Sequence, residues 1–112
     1  MIKIDELELL EFFEQELEYG EEKWEIIINK KHEDLKVSIY INVLEEYITI
    51  IILKDEKIFV ELTKEEVQEI TTYRCNNNNG HKLKCLFKND GMIQELSISM
   101  NPLKIFSSTI KK

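Results

Sequence analysis

The strongest constraint on the fold is strict alternation between apolar and polar side chains over residues 35–43. One set is apolar, namely Leu35, Val37, Ile39, Ile41 and Val43. The other set consists of Lys36, Ser38, Tyr40 and Asn42. Because successive side chains of a strand point to opposite faces, this pattern predicts a half-buried strand in an antiparallel sheet.

The neighbouring segments extend this strand into a predicted meander. Residues 47–53 are apolar on both faces apart from Thr49, which predicts a central strand covered on both sides. Short charged turns separate the segments, so consecutive strands are expected to pair antiparallel. The four predicted strands cover residues 23–30, 35–43, 47–53 and 58–62.

Two helices are predicted on either side of the meander. Residues 5–19 place their apolar side chains in one helical stripe, and Gly20 follows at a position that commonly ends a helix. The stripe consists of Leu9, Leu10, Phe13 and Leu17. Thr63 and Glu66 match a capping box, which predicts a second helix that ends near residues 73–74.

The last third of the chain predicts two further strands. Residues 82–88 and 92–100 flank Asn89-Asp90-Gly91, a strong hairpin turn sequence. Residues 103–110 fit either a final strand or a packed tail. The predicted fold is therefore a single α+β domain over residues 1–112. It would contain a mainly antiparallel sheet of about six strands and two helices, in the order α-β-β-β-β-α-β-β.

Charge is unevenly distributed along the chain. The 22 acidic and 15 basic residues give a net charge of −7. Residues 1–69 contain 20 of the acids and 8 of the bases, whereas residues 70–112 contain 2 acids and 7 bases. This balance disfavours general binding to a phosphate backbone and favours either a basic partner or plain solubility.

The candidate residues for metal binding or nucleophilic catalysis lie between the two cysteines. Cys75, His81 and Cys85 could supply metal ligands or a Cys–His nucleophile, but their spacing matches no zinc or nucleophile signature. Cys85 alternates with lysines beside Leu83 and Phe87, which predicts a small core residue, and His81 is predicted in a solvated loop. We therefore expect no enzyme activity, metal or cofactor.

Lys82, Lys84 and Lys88 share one face of a predicted strand. They could follow a nucleic-acid backbone or protect a sheet edge from aggregation, and we favour edge protection. No apolar run reaches the roughly 20 residues of a membrane-spanning helix. The acidic start of the chain does not match a secretory leader, so we expect a cytoplasmic protein that binds neither nucleic acid nor membranes.

These features favour a small acidic protein-binding module. In size, charge and architecture the chain resembles the small cytoplasmic immunity proteins of bacterial toxin systems. That resemblance implies that the chain neutralises a basic partner such as a toxin nuclease, through steering by charge. The expected contact residues are Glu11, Glu14, Glu18, Tyr40, Glu45, Glu46, Asp55 and Glu56. The alternatives are a homo-oligomeric domain and a small-ligand-binding α+β domain.

Overall fold

In a computed structural model, the described part of the chain forms two five-stranded sheets with one short helix. The structure describes residues 1–74, 80–100 and 103–110. The first half contains β1 (Lys3–Ile4), α1 (Glu6–Phe13), β2 (Glu18–Tyr19), β3 (Glu25–His32), β4 (Leu35–Asn42), β5 (Tyr47–Lys54) and β6 (Lys57–Lys64). The second half contains β7 (Val67–Arg74), β8 (His81–Asn89), β9 (Met92–Met100) and β10 (Leu103–Ile110).

After the short strand β1, the chain builds one sheet from β2 to β6 and then the rest of the other from β7 to β10. Sheet I has the order β2-β3-β4-β5-β6, and sheet II has the order β1-β7-β8-β9-β10. All strand pairs are antiparallel except β1 with β7. The α+β class and the antiparallel meander are confirmed, but the single sheet of about six strands is wrong. The second half of the chain builds its own sheet because it supplies four strands rather than two.

The hydrophobic core is built from alternate residues of both sheets. The predicted inward residues Val37, Ile39 and Ile41 are confirmed, each at 1 % exposure or less. On β5, Ile48 and Ile50 are fully buried, whereas Ile51 on the opposite face is partly exposed. The prediction that this strand is covered on both sides is therefore wrong, and the outer face of sheet I remains open to solvent.

Helix α1 is shorter than predicted. The Asp5 carboxylate accepts hydrogen bonds from the backbone N–H groups of Leu7 (2.9 Å) and Glu8 (3.4 Å), which caps the N-terminus. The helix ends at Phe13, followed by Glu14 in a left-handed conformation with φ 55°. Residues 18–19 pair with β3 instead of continuing the helix. Within the helix, Phe12 is buried. Leu10, predicted to be in the core, is 38 % exposed.

The predicted second helix is wrong, because Val67–Arg74 forms strand β7. The Thr63 hydroxyl lies 3.0 Å from that of Thr49 across sheet I rather than capping a helix. β-Branched residues are frequent in β7, and they favour strands over helices. Pairing with β8 along the length of β7 outweighs the local capping pattern. The ambiguous segment 103–110 forms β10, which pairs with β9.

The turn before β7 offers a direct test of this correction. Glu66 has φ 53°, a left-handed conformation that costs a non-glycine residue about 1–2 kcal/mol. Glu66→Gly should therefore raise the free energy of unfolding by about 0.5–1 kcal/mol after the greater entropy of the unfolded chain is included. Urea denaturation measures the change. A loss of about 1 kcal/mol, the cost of glycine inside a helix, would contradict the turn.

Two further sequence expectations concern the asparagine-rich segment and a membrane-spanning helix. The predicted asparagine turn at residues 76–79 and Cys75 lie outside the described residues. Within the described part of the chain, no helix is long and apolar enough to cross a membrane.

Candidate partner-binding surface

The uneven charge of the sequence gives the two sheets different charge balances. Sheet I and α1 are built from the acidic part of the chain, residues 1–69, which ends within β7. Apart from the short strand β1, sheet II is built from the part that is rich in lysine. The charge segregation along the sequence therefore places most of the carboxylates with sheet I and α1, whereas the described strands of sheet II carry more basic than acidic residues.

Strand register assembles one continuous surface on the outside of sheet I. Ile27, Tyr40, Thr49 and Thr63 are cross-strand partners in one row, and Asn29, Ser38, Ile51 and Glu61 are partners in the next. Glu18 joins the first row through its pairing with Ile27. We call these two rows, with Glu18, Glu25, Tyr47 and Leu53, the sheet I face. It combines partly exposed apolar side chains with five positions that carry tyrosine or carboxylate groups suited to protein contacts: Tyr40, Tyr47, Glu18, Glu25 and Glu61.

Tyr40 occupies the centre of the sheet I face. Its hydroxyl donates a short hydrogen bond to the Glu25 carboxylate, and its ring lies 5.8 Å from that of Tyr47. The hydrogen bond to Glu25, together with burial, raises the pKa of Tyr40, so the phenol stays protonated at neutral pH. Both the predicted contact role and the alternative of a packing pair fit this position, since Tyr40 packs on Tyr47 and remains partly exposed.

Acidic turns border one end of the sheet I face. The turn between β5 and β6 holds Asp55 and Glu56, both in left-handed conformations with φ 50° and 62°. Together with Asp34 from the neighbouring turn they line a cleft of about 450 Å³, whose wall also includes Lys36 and Leu53. Two hairpins thus place three carboxylates around one shallow depression beside the apolar residues of the face.

The remaining predicted contact residues lie elsewhere. Glu45 and Glu46 form the turn at the opposite end of β5, about 25 Å away for an eight-residue strand. Glu46 pairs with the N-terminal ammonium at 3.2 Å. Glu11 lies on α1 and Glu14 caps its C-terminus, and α1 packs on sheet II. Of the eight predicted residues, the structure brings together Glu18, Tyr40, Asp55 and Glu56 on the sheet I face and its border.

Sequence reasoning missed four residues of this surface: Glu25, Asp34, Tyr47 and Glu61. Alternation along the predicted strand 23–30 puts Ile26 and Ile28 on one face and Glu25 on the other. The missing information was the register between strands, which decides which outward side chains become neighbours. Turn lengths of two residues between β3 and β4 and between β5 and β6 could have supplied part of that register.

His81 and Cys85, which were considered for catalysis or metal binding, pack against other side chains of the fold. His81 begins β8 and lies edge-on to Phe12 with 5.0 Å between ring centroids, so its prediction as a solvated loop residue is wrong. Burial and the nearby Arg74 lower the pKa of His81. Any pairing of His81 with Cys75 lies outside the described residues. Within residues 1–74, 80–100 and 103–110, no group of three potential ligands is close enough to hold a metal ion.

Cys85 is confirmed as a core residue, with 1 % exposure. Burial raises the pKa of its thiol to about 12, so the reactive thiolate is scarce near neutral pH. In a Cys75→Ser variant, Cys85 should therefore fail to react with a thiol reagent at pH 8 and react fully in denaturant. The absorbance of the thiolate that the reagent releases on reaction measures this difference. Rapid labelling of the native protein would contradict the packing around Cys85.

The prediction that the lysines of β8 protect a sheet edge is wrong, because β8 is the middle strand of sheet II. Lys84 pairs with Glu95 at 3.6 Å and lies 5.1 Å from the ring centroid of Tyr73. Lys3 on β1 pairs with Glu69 at 3.7 Å. Carboxylates therefore offset part of the positive charge on this outer face.

Comparison with known proteins yields one informative similarity in fold. No protein-family model matches the chain, and no curated protein matches its sequence. A solved structure, described as the contact-dependent growth inhibition toxin–immunity protein complex from Klebsiella pneumoniae 342, contains a similar chain. The similarity covers 97 % of each chain with a TM-score of 0.83 and 22 % sequence identity. At this level of identity, the two chains share a fold.

Proposed function

We propose that this chain is an immunity-type protein that binds and neutralises a basic toxin. The observation that carries the proposal is the fold similarity, over 97 % of both chains, to a chain from a toxin–immunity complex. A fold by itself hosts many functions, so the assignment also depends on the surface. The proposed role is non-catalytic binding in the cytoplasm, where a nuclease toxin would act.

The charge of the protein supports the immunity side of such a pair. At −7 the chain is strongly acidic, and most of its carboxylates belong to sheet I and α1. Proteins that bind nucleic acid need positive surfaces to contact phosphates, so a nuclease toxin presents a surface complementary to acidic residues. Opposite potentials steer such a pair together and suppress association with the wrong partner.

We assign the contact to the sheet I face and its border of acidic turns. The centre of a protein interface is usually apolar and aromatic, and charged residues surround it. Tyr40, Tyr47 and Ile51 provide the centre here, and Glu61 with the acids of the 450 Å³ cleft provides the border. Tyr40 is already held by Glu25 and Tyr47, so little side-chain entropy would be lost when a partner packs on it.

Affinity capture tests this proposal directly. The tagged chain should retain one basic protein in near-stoichiometric amount at low salt, and release it as salt screens the charges. A Tyr40→Ala variant should capture less than the wild-type chain. The matched control is Tyr73→Ala, a partly exposed tyrosine on the outer side of sheet II, which should capture as much as the wild type. Capture that neither salt nor Tyr40→Ala reduces would contradict the assigned surface.

A further inference from the structure

Three of the four sheet edges carry features that prevent pairing with another chain. Natural proteins protect edges with very short strands, bulges and charged residues. β1 and β2 have two residues each. β6 contains an irregular register opposite Ile52 and Leu53, and three of its eight residues are charged. An added strand would therefore find few regular backbone partners at these three edges.

β10 forms the fourth edge and lacks these protections. It is eight residues long and pairs with β9 in an unbroken register from Leu103 to Ile110. Its only charged residue is Lys104. Within the described part of the chain, no strand pairs with its other side. A long, regular and nearly uncharged edge is a template for pairing with another strand.

Apolar side chains collect along the same side of the molecule. A groove of about 420 Å³ separates β10 from β6 and is lined by Val60, Leu62, Leu103 and Ile105, among others. Phe59, which also lines the groove, is 69 % exposed, and Phe106 on β10 is 52 % exposed. The opposite side of the fold is different, because α1 buries Leu9, Phe12 and Phe13 there. We call this open side, defined by β6 and β10, the β6–β10 margin.

We propose that β10 pairs antiparallel with β10 of a second copy about a twofold axis, which joins two copies of sheet II into one ten-stranded sheet. A twofold dimer uses the same patch on both subunits, and β10 offers the same free edge in each. With the axis at Phe106, the two Phe106 rings are opposite each other and Lys104 lies opposite Ser108. No like charges then meet across the junction.

The charge of β10 favours a second copy of this chain, rather than the basic partner, as the strand that pairs with its free edge. The only charge on β10 is positive, and β10 belongs to the lysine-rich sheet II. A basic toxin would therefore gain nothing by electrostatic steering toward this edge and would be attracted to the sheet I face instead. The dimer goes beyond the proposed function and does not depend on it.

The test is the molar mass of the purified chain alone, measured by light scattering over a wide range of concentration. We expect the wild type to approach twice the 13.4 kDa of one chain. Phe106→Lys combined with Ser108→Lys should remain a monomer, since lysines would oppose each other in each antiparallel register that keeps the outer faces aligned. Both residues are exposed in the monomer, and Ser108 lies beside Glu95, so the variant should fold.

The matched control adds two lysines at exposed leucines away from the β6–β10 margin. Leu7 on α1 and Leu44 in the turn after β4 are 62 % and 50 % exposed. Leu7→Lys combined with Leu44→Lys should dimerise like the wild type. A monomeric wild type at every concentration would overturn the proposal, as would a dimer that the β10 variant leaves intact.

Hydrogen exchange provides a second measurement that needs no variant. Amides of β10 in the wild type should exchange about tenfold more slowly at high protein concentration than at low concentration. The amides of β6 report on the protected edge and should change less. Equal exchange of β10 at both concentrations would overturn the proposal. If the mass stays that of a monomer and β10 becomes protected only when the basic partner is added, the occupant is the partner and the second copy is excluded.

Discussion

Neutralising four acids of the sheet I face and its border is expected to slow association with the basic partner by about 10–100-fold at low salt. The variant combines Glu18→Gln, Asp55→Asn, Glu56→Gln and Glu61→Gln. All four side chains are exposed, so the changes remove charge without opening the core. Association should also depend less steeply on salt than in the wild type, because fewer charges steer the encounter.

A matched variant separates local charge from net charge. It combines Glu11→Gln, Glu14→Gln, Glu45→Gln and Glu65→Gln, which are exposed and lie outside the sheet I face. Both variants change the net charge equally. Stopped-flow or surface-based kinetics should show a much smaller effect of the second set on the association rate. Equal effects of the two sets would mean that net charge, rather than this surface, guides binding.

Phe13→Ala is expected to lower the free energy of unfolding by about 3–5 kcal/mol. Phe13 is completely buried, and its ring meets Phe12 edge-on with 4.8 Å between centroids. Its carbonyl also accepts a 2.6 Å hydrogen bond from the Lys30 ammonium, which links α1 to sheet I. Loss of the ring would leave a cavity where the helix closes one side of the two sheets.

Urea denaturation followed by circular dichroism measures this loss. Leu7→Ala is the control, because Leu7 lies on the same helix at 62 % exposure and should change stability by less than about 0.5 kcal/mol. A loss below about 1 kcal/mol for Phe13→Ala would show that α1 contributes little to the core.

Strand periodicity was the most informative part of the sequence. Alternation over residues 35–43 correctly assigned the inward residues of β4, because side-chain direction in a strand depends only on parity. The prediction of a second helix was wrong because a capping box is a local pattern, whereas β7 is held by pairing with β8. The predicted length of α1 was wrong for a similar reason, since residues 18–19 pair with β3.

The candidate surface was only partly predictable. Charge identified Glu18 as outward-facing, although on a predicted helix, and strand parity identified Tyr40, but acids that are close in sequence proved distant in space. Glu46 and Asp55 are separated by the full length of β5. Cross-strand register, which depends on turn geometry and on packing between the sheets, brought Glu25, Tyr47 and Glu61 into the same face. No single-strand pattern contains that information.

Growth of cells that produce the captured basic partner tests the proposed immunity function most directly. Induction of the partner alone should stop growth, and co-production of this chain should restore it. The four-acid variant of the sheet I face should restore growth less than the matched variant at equal protein level. A partner that is harmless alone, or that stops growth equally with and without this chain, would contradict an immunity function.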